Sequence, residues 1–388
     1  MVFMKITVIG WYGTETIGDR AILAGLFSFF NKTFQDFEIY LGSLYPFFSA
    51  RTFDEDHTFW TEITGKDIRI KIFDSKNKQD LDHHIAMSDL ICMGGGPLMD
   101  LNELFMVEYA FKKARKLGKK TALLGCGVGP LFQATYKKTV VEIVKNSDIV
   151  ILRDVTSKDN LFEVARELNR NMKDRNISSS LDPAVECVTQ YRCSNKKVKN
   201  DYIAVNLREF PGEYRNSSTY KDINDALKNL VSDLADTYPD RSIKLVPMHY
   251  FHVGNDDRVF LNRIALELNK KNIEVQNSHL SLKKTIAVFQ NAYFNVGMRF
   301  HSVLIQTIIS GNNFILDYTE PKKGKISGFL KDVDQNNFYK SRYISLQDDE
   351  ITTNIFHQED DTFSLDEKLI KNKMKIYVDK LNETMTLP

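Results

Sequence analysis

The sequence predicts an α/β protein of two Rossmann-like domains facing a central cleft, with a last helix packing on one of them. Three observations lead there. The chain has 388 residues, which at roughly 150 residues per domain suggests two or three domains rather than one. Short apolar, β-rich runs alternate with helical patterns along most of its length. That rhythm breaks once, in a polar stretch at 191–201, and then restarts.

The first half opens with MKITVI (4–9), followed by a helix-like AILAGLFSFF (21–30). Strand patterns return at 37–44, 68–73, 89–94, 120–125 and 148–153, most of them separated by enough chain for a crossover helix. Continuous apolar strands between helices imply a parallel sheet covered on both faces. The stretch YRCSNKKVKND at 191–201 carries Lys196, Lys197 and Lys199 and reads as a linker, giving domains at 1–190 and 201–388. The second half repeats the order with strands at 202–208, 242–248, 272–277, 293–297 and 313–318. The final pattern, 366–385, sets Leu369, Ile370, Met374, Ile376, Tyr377 and Leu381 near helical spacing, a stripe that needs a domain to cover it. There is no low-complexity tract and no sequence repeat of 20 to 50 residues.

Hydrophobic residues at 43% and charged residues at 27% suit a large buried core and exclude disorder. Lys plus Arg (52) against Asp plus Glu (51) leaves +1, without the basic excess that nucleic-acid binding requires. Apolar runs such as 121–132 fall short of the roughly 20 residues that span a bilayer. MVFMKITVIG runs straight into a strand pattern, so a cytoplasmic protein is expected, with room for a peripheral place at the inner face of the membrane. Cys92, Cys126, Cys187 and Cys193 form no CxxC pair and read as structural or incidental, not as a disulfide scaffold or zinc site.

Three glycine-rich turns follow successive strands. GWYGTETIGD (10–19) holds Gly13 and Gly18 and leads into a helix whose first N–H groups point toward the strand ends. It lacks GxGxxG spacing and a closing acidic residue, so no nicotinamide cofactor is expected, and a turn built for geometry alone explains it equally well. MGGGPLMD (93–100) brings Gly94, Gly95 and Gly96, with Pro97 suited to a first helical turn. GCGVGP (125–130) adds Gly127. Three such turns at one sheet edge point to a ligand-facing surface, because open α/β sheets bind ligands there.

In the second half NVGMRFHS (295–302) sets Arg299 and His301 directly after a strand, at the start of a helical pattern. Cations at a helix N-terminus are unfavourable unless an anion is bound; the plain alternative is an Arg paired with an acidic neighbour and a capping His. VNLRE (205–209) places Arg208 at another strand end. Two guanidinium groups there suit a small molecule with a phosphate and a carboxylate, which guanidinium grips bidentately. PMHYFHVGNDD (247–257) carries His249, His252, Asp256 and Asp257, but its spacing gives no third ligand for a metal, so none is expected. His83 and His84 sit in a polar helical pattern and are expected to be solvated.

Taken in order, GWYGTETIGDRAILAGL, ICMGGGPLMD, LLGCGVGPL, ILRDVTS, SLDPAV, VNLRE, LVPMHYFHVGNDD and above all NVGMRFHSVLIQTIISG resemble the polysaccharide pyruvyl transferase family from about residue 6 to about 330. The resemblance implies a GT-B-like fold and transfer of a pyruvyl group from phosphoenolpyruvate, with no further cofactor. The acceptor would be the hydroxyls of a cell-surface glycan or its lipid-linked precursor, and the product usually a cyclic ketal. It further implies that Arg208, Arg299 and His301 bind the donor and catalyse. His301 would protonate the donor's methylene carbon, which needs an imidazolium. Asp19 is the candidate base, Gly13, Gly18, Gly94, Gly95, Gly96, Gly127 and His249 candidate substrate contacts. Lys322, Lys323 or Lys325, in a turn that matches the family loosely, are candidates for the donor phosphate, although exposed loop lysines are commoner. A GT-B glycosyltransferase using a nucleotide sugar, or a non-catalytic assembly protein on the same scaffold, are the rival readings. Beyond 330 the chain offers no motif.

Overall fold

The computed structural model describes residues 3–172, 177–198, 200–211, 219–251, 255–320, 323–349, 351, 356 and 361–385. Within these the chain divides into two compact units: 1–15, 19–187 and 367–388 form the first, 16–18 and 188–366 the second.

The first unit holds β1 (Met4–Ile9), β2 (Phe37–Ser43), β3 (Ile70–Asp74), β4 (Leu90–Gly94), β5 (Pro97–Leu98), β6 (Lys120–Val128), β7 (Ile149–Leu152) and β8 (Ile177–Ser179). Among the described residues they make one parallel sheet in the order β3-β2-β1-β4-β6-β7-β8, with β5 added alongside β6. In register, Ile6 lies between Ile39 and Leu90, and all three are fully buried. Helices on both faces exclude water from the central β4, β6 and β7, which is why they read as apolar runs, while β3 at the edge alternates.

The second unit repeats the plan with β9 (Tyr202–Asn206), β10 (Ser242–Leu245), β11 (Ile273–Val275), β12 (Asn295–Gly297), β13 (Asn313–Asp317) and β14 (Tyr343–Ser345), all parallel. Their order is β11-β10-β9-β12-β13-β14. In each sheet the order reverses beside the opening strand, between β1 and β4 and between β9 and β12. Crossover connections diverge at such a point and leave a crevice beyond the carboxyl ends of the two strands. Arg208 and Arg299 follow β9 and β12, and so stand at the second sheet's reversal.

The two-domain plan and the strands of the repeated rhythm agree with the sequence reading; several details differ. β5, β8 and β14 have two or three residues each, too few to show a period of two. The strand expected at 202–208 ends at Asn206, which releases Arg208 from the ladder. The stretch 191–201 is no free linker: a helix, Ala184–Ser194, runs into it. Val198 and Asn200 then donate their N–H groups to Asn291. His84 stacks on Phe73 with centroids 4.1 Å apart instead of standing in solvent.

The largest departure concerns the last helix, Glu367–Met385, which counts with the first unit and not with a second domain spanning 201–388. It packs on β6 and β7. Its Tyr377 ring stacks on Phe29 at 4.3 Å, and the phenol donates to the Leu181 carbonyl at 2.7 Å. An amphipathic stripe says that a surface covers it, but not which surface. Replacing Tyr377 by Ala removes a fully buried ring and should cost about 3–5 kcal/mol of stability in urea unfolding.

Candidate active site

At the reversal of the second sheet, one buried amide ties three strand ends together. Asn206, the last residue of β9, donates through Nδ2 to the Val246 carbonyl beyond β10 (2.9 Å) and accepts the Arg299 N–H beyond β12 (3.0 Å). Arg208, two residues on, donates its own N–H to the Met298 sulfur at 3.4 Å. The two arginines are thereby brought to one place.

Their environments differ. Arg299 is only 5% exposed. Its Nε lies 2.9 Å from both carboxylate oxygens of Asp257, and its Nη2 2.5 Å from Oδ1. Asp257 also accepts the backbone N–H groups of Met248 and His249 at 3.0 and 3.2 Å. Burial draws the Arg299 pKa down, Asp257 opposes that, and the charge of Arg208 adds to the lowering. One edge of this guanidinium is thus engaged by an acidic neighbour, the plain alternative to the incoming anion that the sequence also suggested for Arg299. Arg208 is partly exposed and lies 5.1 Å from the centre of the Tyr318 ring.

His301 is the second residue of the helix Phe300–Ile309, with its ring centroid 4.9 Å from that of Phe300. The space where a Cβ on Gly18 would stand is filled by the His301 imidazole. Gly18 therefore seats the imidazole, and its expected role as an open anion cradle is corrected. The neighbouring backbone holds this seat: Ile17 donates to the Met248 carbonyl at 3.0 Å, and Thr16 bridges to His249.

His249 is half-buried, and its Nδ1 has no hydrogen-bond partner among the described residues. Burial, followed by the charges of Arg299, Arg208, Lys325 and His301, holds its pKa well below the usual imidazole range. It is a neutral ring among cations. Asp256 and Asp257, which share its segment, are engaged by other groups: Asp256 caps the helix Asp257–Leu268 and pairs with Arg258, and Asp257 holds Arg299. His252 and Lys322 lie outside the described residues.

Tyr318 and Lys325 complete the group. Tyr318 follows β13, is 3% exposed, and has the Lys325 ammonium 5.3 Å from its ring centre. Sequence reasoning passed over Tyr318, Asn206 and the Asp257–Arg299 pairing. The first two are ordinary residues at strand ends, and the third joins positions 42 apart in the chain.

In the first unit the glycine turns serve packing. The Cβ positions of Gly94, Gly95, Gly96 and Gly127 are occupied by Leu26, Ile22, the Trp11 indole and the Arg153 guanidinium, and that of Gly13 by Ser43 and the Tyr45 backbone. Gly95 and Gly96 also have φ of 63° and 71°, which a side chain would strain. The expectation that these glycines bare the backbone to a ligand is corrected: side chains of the same unit already lie against them. Asp19 sits here as well, its Oδ2 3.2 Å from the Thr14 hydroxyl. Arg153, missed in the sequence, is a 4%-exposed cation at the end of β7, its Nε 3.5 Å from Asp154.

A family model described as polysaccharide pyruvyl transferase matches residues 17–305, most of the chain. The chain belongs to that family. Membership places it among transferases that act on polysaccharides, and the matched span includes Gly18, Asp19, Arg208, His249, Asp257, Arg299 and His301. No curated protein matches the chain. Among solved structures it is similar in fold to UDP-GlcNAc 2-epimerase from Methanocaldococcus jannaschii (15% identity, TM-score 0.50, 82% of this chain and 83% of that one). It is also similar to MnaA of S. aureus solved with UDP (13%, 0.53, 96% and 90%). A third is an α,α-trehalose-phosphate synthase (UDP-forming) from Burkholderia vietnamiensis (12%, 0.51, 100% and 96%). At these identities the likeness concerns the fold. No helix among the described residues is long and apolar enough to cross a membrane.

The structure thus gathers Arg208, Arg299, His249, His301 and Gly18 in the second unit, and places Asp19 with Gly13, Gly94, Gly95, Gly96 and Gly127 in the first. Two outcomes are expected. Asp257→Ala strands the buried Arg299 charge and should lower stability by about 3–5 kcal/mol in urea unfolding. Gly18→Ala should displace the His301 ring, visible as a shifted imidazole resonance by NMR, while the melting temperature changes little.

Proposed function

We propose that this family member transfers the pyruvyl group of phosphoenolpyruvate to hydroxyls of a cell-surface polysaccharide or its lipid-linked precursor, forming a pyruvyl ketal. The observation that carries this reading is the cation group at the reversal of the second sheet: Arg208, Arg299 and Lys325, with two imidazoles. Phosphoenolpyruvate carries a phosphate and a carboxylate on a three-carbon frame. Arg208 and Lys325 supply hydrogen-bond donors to those anions, and Arg299, held by Asp257, adds a fixed positive charge from behind. Guanidinium matches the planar oxygens better than ammonium does, which favours Arg208 for the bidentate contact.

Chemistry follows from His301. Its imidazolium gives a proton to the methylene carbon, which becomes the methyl group, and the adjacent carbon takes on oxocarbenium character. A sugar hydroxyl attacks that carbon and phosphate leaves; a second hydroxyl then closes the ring, and its proton returns to His301. His249, uncharged, accepts a hydrogen bond rather than adding charge. Exclusion of water protects the cationic carbon from hydrolysis.

Family membership and the cation group support this reading over a nucleotide-sugar transferase, since the fold likeness to UDP enzymes concerns architecture alone. Thermal shift separates the two, because a ligand selective for the folded state raises its melting temperature. Phosphoenolpyruvate should raise it, and UDP- and GDP-sugars should leave it in place; the reverse result overturns the proposal. His301→Ala should abolish transfer yet keep the phosphoenolpyruvate shift. Arg208→Ala should weaken phosphoenolpyruvate binding about 10- to 100-fold, as for loss of charge-assisted hydrogen bonds.

A further inference from the structure

The pyruvyl-transfer reading leaves open which group takes the proton of the attacking hydroxyl. On that reading, we infer that Tyr318 is this proton acceptor, its phenolate held by the ammonium of Lys325 and the guanidinium of Arg208. The assignment begins with placement. Tyr318 leaves the end of β13, next in the sheet to β12, whose end carries Arg299 and His301. Its backbone is fixed by Gln347, whose Nε2 donates to the carbonyls of both Tyr318 and Thr319 at 3.0 Å. Thr319 is held in turn by Asp317 (N–H to Oδ1, 2.8 Å). The ring has the Arg208 guanidinium 5.1 Å and the Lys325 ammonium 5.3 Å from its centre.

Those cations change the chemistry of the phenol. Burial alone raises a phenol's pKa, and it does so for Tyr12, Tyr202, Tyr339, Tyr343 and Tyr377 in this chain. Tyr318 goes the other way. Burial still opposes its ionisation, but Lys325, Arg208 and Arg299 outweigh it and bring the phenol down to about 8. Roughly one molecule in ten then carries the phenolate at pH 7, and a base poised near the working pH is the effective kind.

In the step assigned to it, the O–H bond of the sugar hydroxyl breaks and its proton moves to the Tyr318 oxygen. The hydroxyl oxygen's electron pair forms the new C–O bond to the central carbon of the donor. The donor's π pair takes the proton of His301 to complete the methyl group. When the bond to phosphate breaks, the phosphate leaves with its electron pair and accepts the proton from Tyr318, which restores the phenolate. Tyr318 stands in the second unit beside the cations proposed to hold the donor.

The test uses the intact protein with phosphoenolpyruvate and a sugar acceptor that the wild type turns over. Tyr318→Phe keeps the ring and loses the acid–base group. It should lower kcat by about 10²- to 10⁴-fold while phosphoenolpyruvate still raises the melting temperature as in the wild type. For the wild type, kcat/KM should rise and then fall with pH, since the step needs Tyr318 ionised and His301 protonated, and a fluorinated tyrosine at 318, being more acidic, should move one limb of that bell to lower pH. Ultraviolet difference titration of the free wild type against Tyr318→Phe should show one phenolate forming near pH 8. A Tyr318→Phe enzyme with wild-type turnover, or a kcat/KM profile that ignores fluorination, overturns the role of Tyr318 and leaves the pyruvyl-transfer reading standing. A wild type that transfers nothing from phosphoenolpyruvate to any sugar overturns that reading, and the base role with it.

Discussion

The buried pair of Arg299 and Asp257 is the contact on which the second unit's site rests. A guanidinium removed from water is costly unless its charge and its N–H groups are met. Asp257 meets them in a two-pronged contact and simultaneously anchors the backbone at Met248 and His249. The ends of β10 and β12 are thereby locked to one another through a side chain. Asn206 adds β9 to the same knot. The result is a rigid positive platform beneath Arg208, His249 and Tyr318.

Rigidity there sets the protonation states around it. Charge that cannot move away leaves the neighbours to adjust: His249 is kept neutral, and Tyr318 becomes more acidic. The same field, in a crevice at the reversal of a parallel sheet, is suited to a multiply charged anion. Groups with pKa values pushed apart by one set of charges are what acid–base chemistry at neutral pH requires.

Much of this was legible in the residues alone. The strand rhythm is visible because central parallel strands such as β4, β6 and β7, covered on both faces, are apolar almost throughout. NVGMRFHS and VNLRE disclosed their arginines and His301 because cations directly after apolar strands are conspicuous. The glycine turns misled in part. Glycine in a βα turn is equally what a close-lying Trp11 or Leu26 demands, and a sequence does not distinguish a ligand from a neighbouring side chain as the reason. Asp257 was visible but given no role, because its partner Arg299 lies far along the chain. Tyr318 gave no signal at all, since what distinguishes it is the set of charges brought around it by folding.

The membership of the helix Glu367–Met385 in the first unit bears on how the molecule is made. Its Tyr377 covers Phe29 and satisfies Leu181, residues that leave the ribosome long before it does. Domains usually fold in the order of synthesis, yet the first unit lacks a piece of its own core until residues 367–385 have been made. The second unit, apart from 16–18, is contiguous and finished first. Vectorial synthesis therefore completes 188–366 before the first unit, and a chain released before residue 367 would leave Phe29 without its Tyr377 cover.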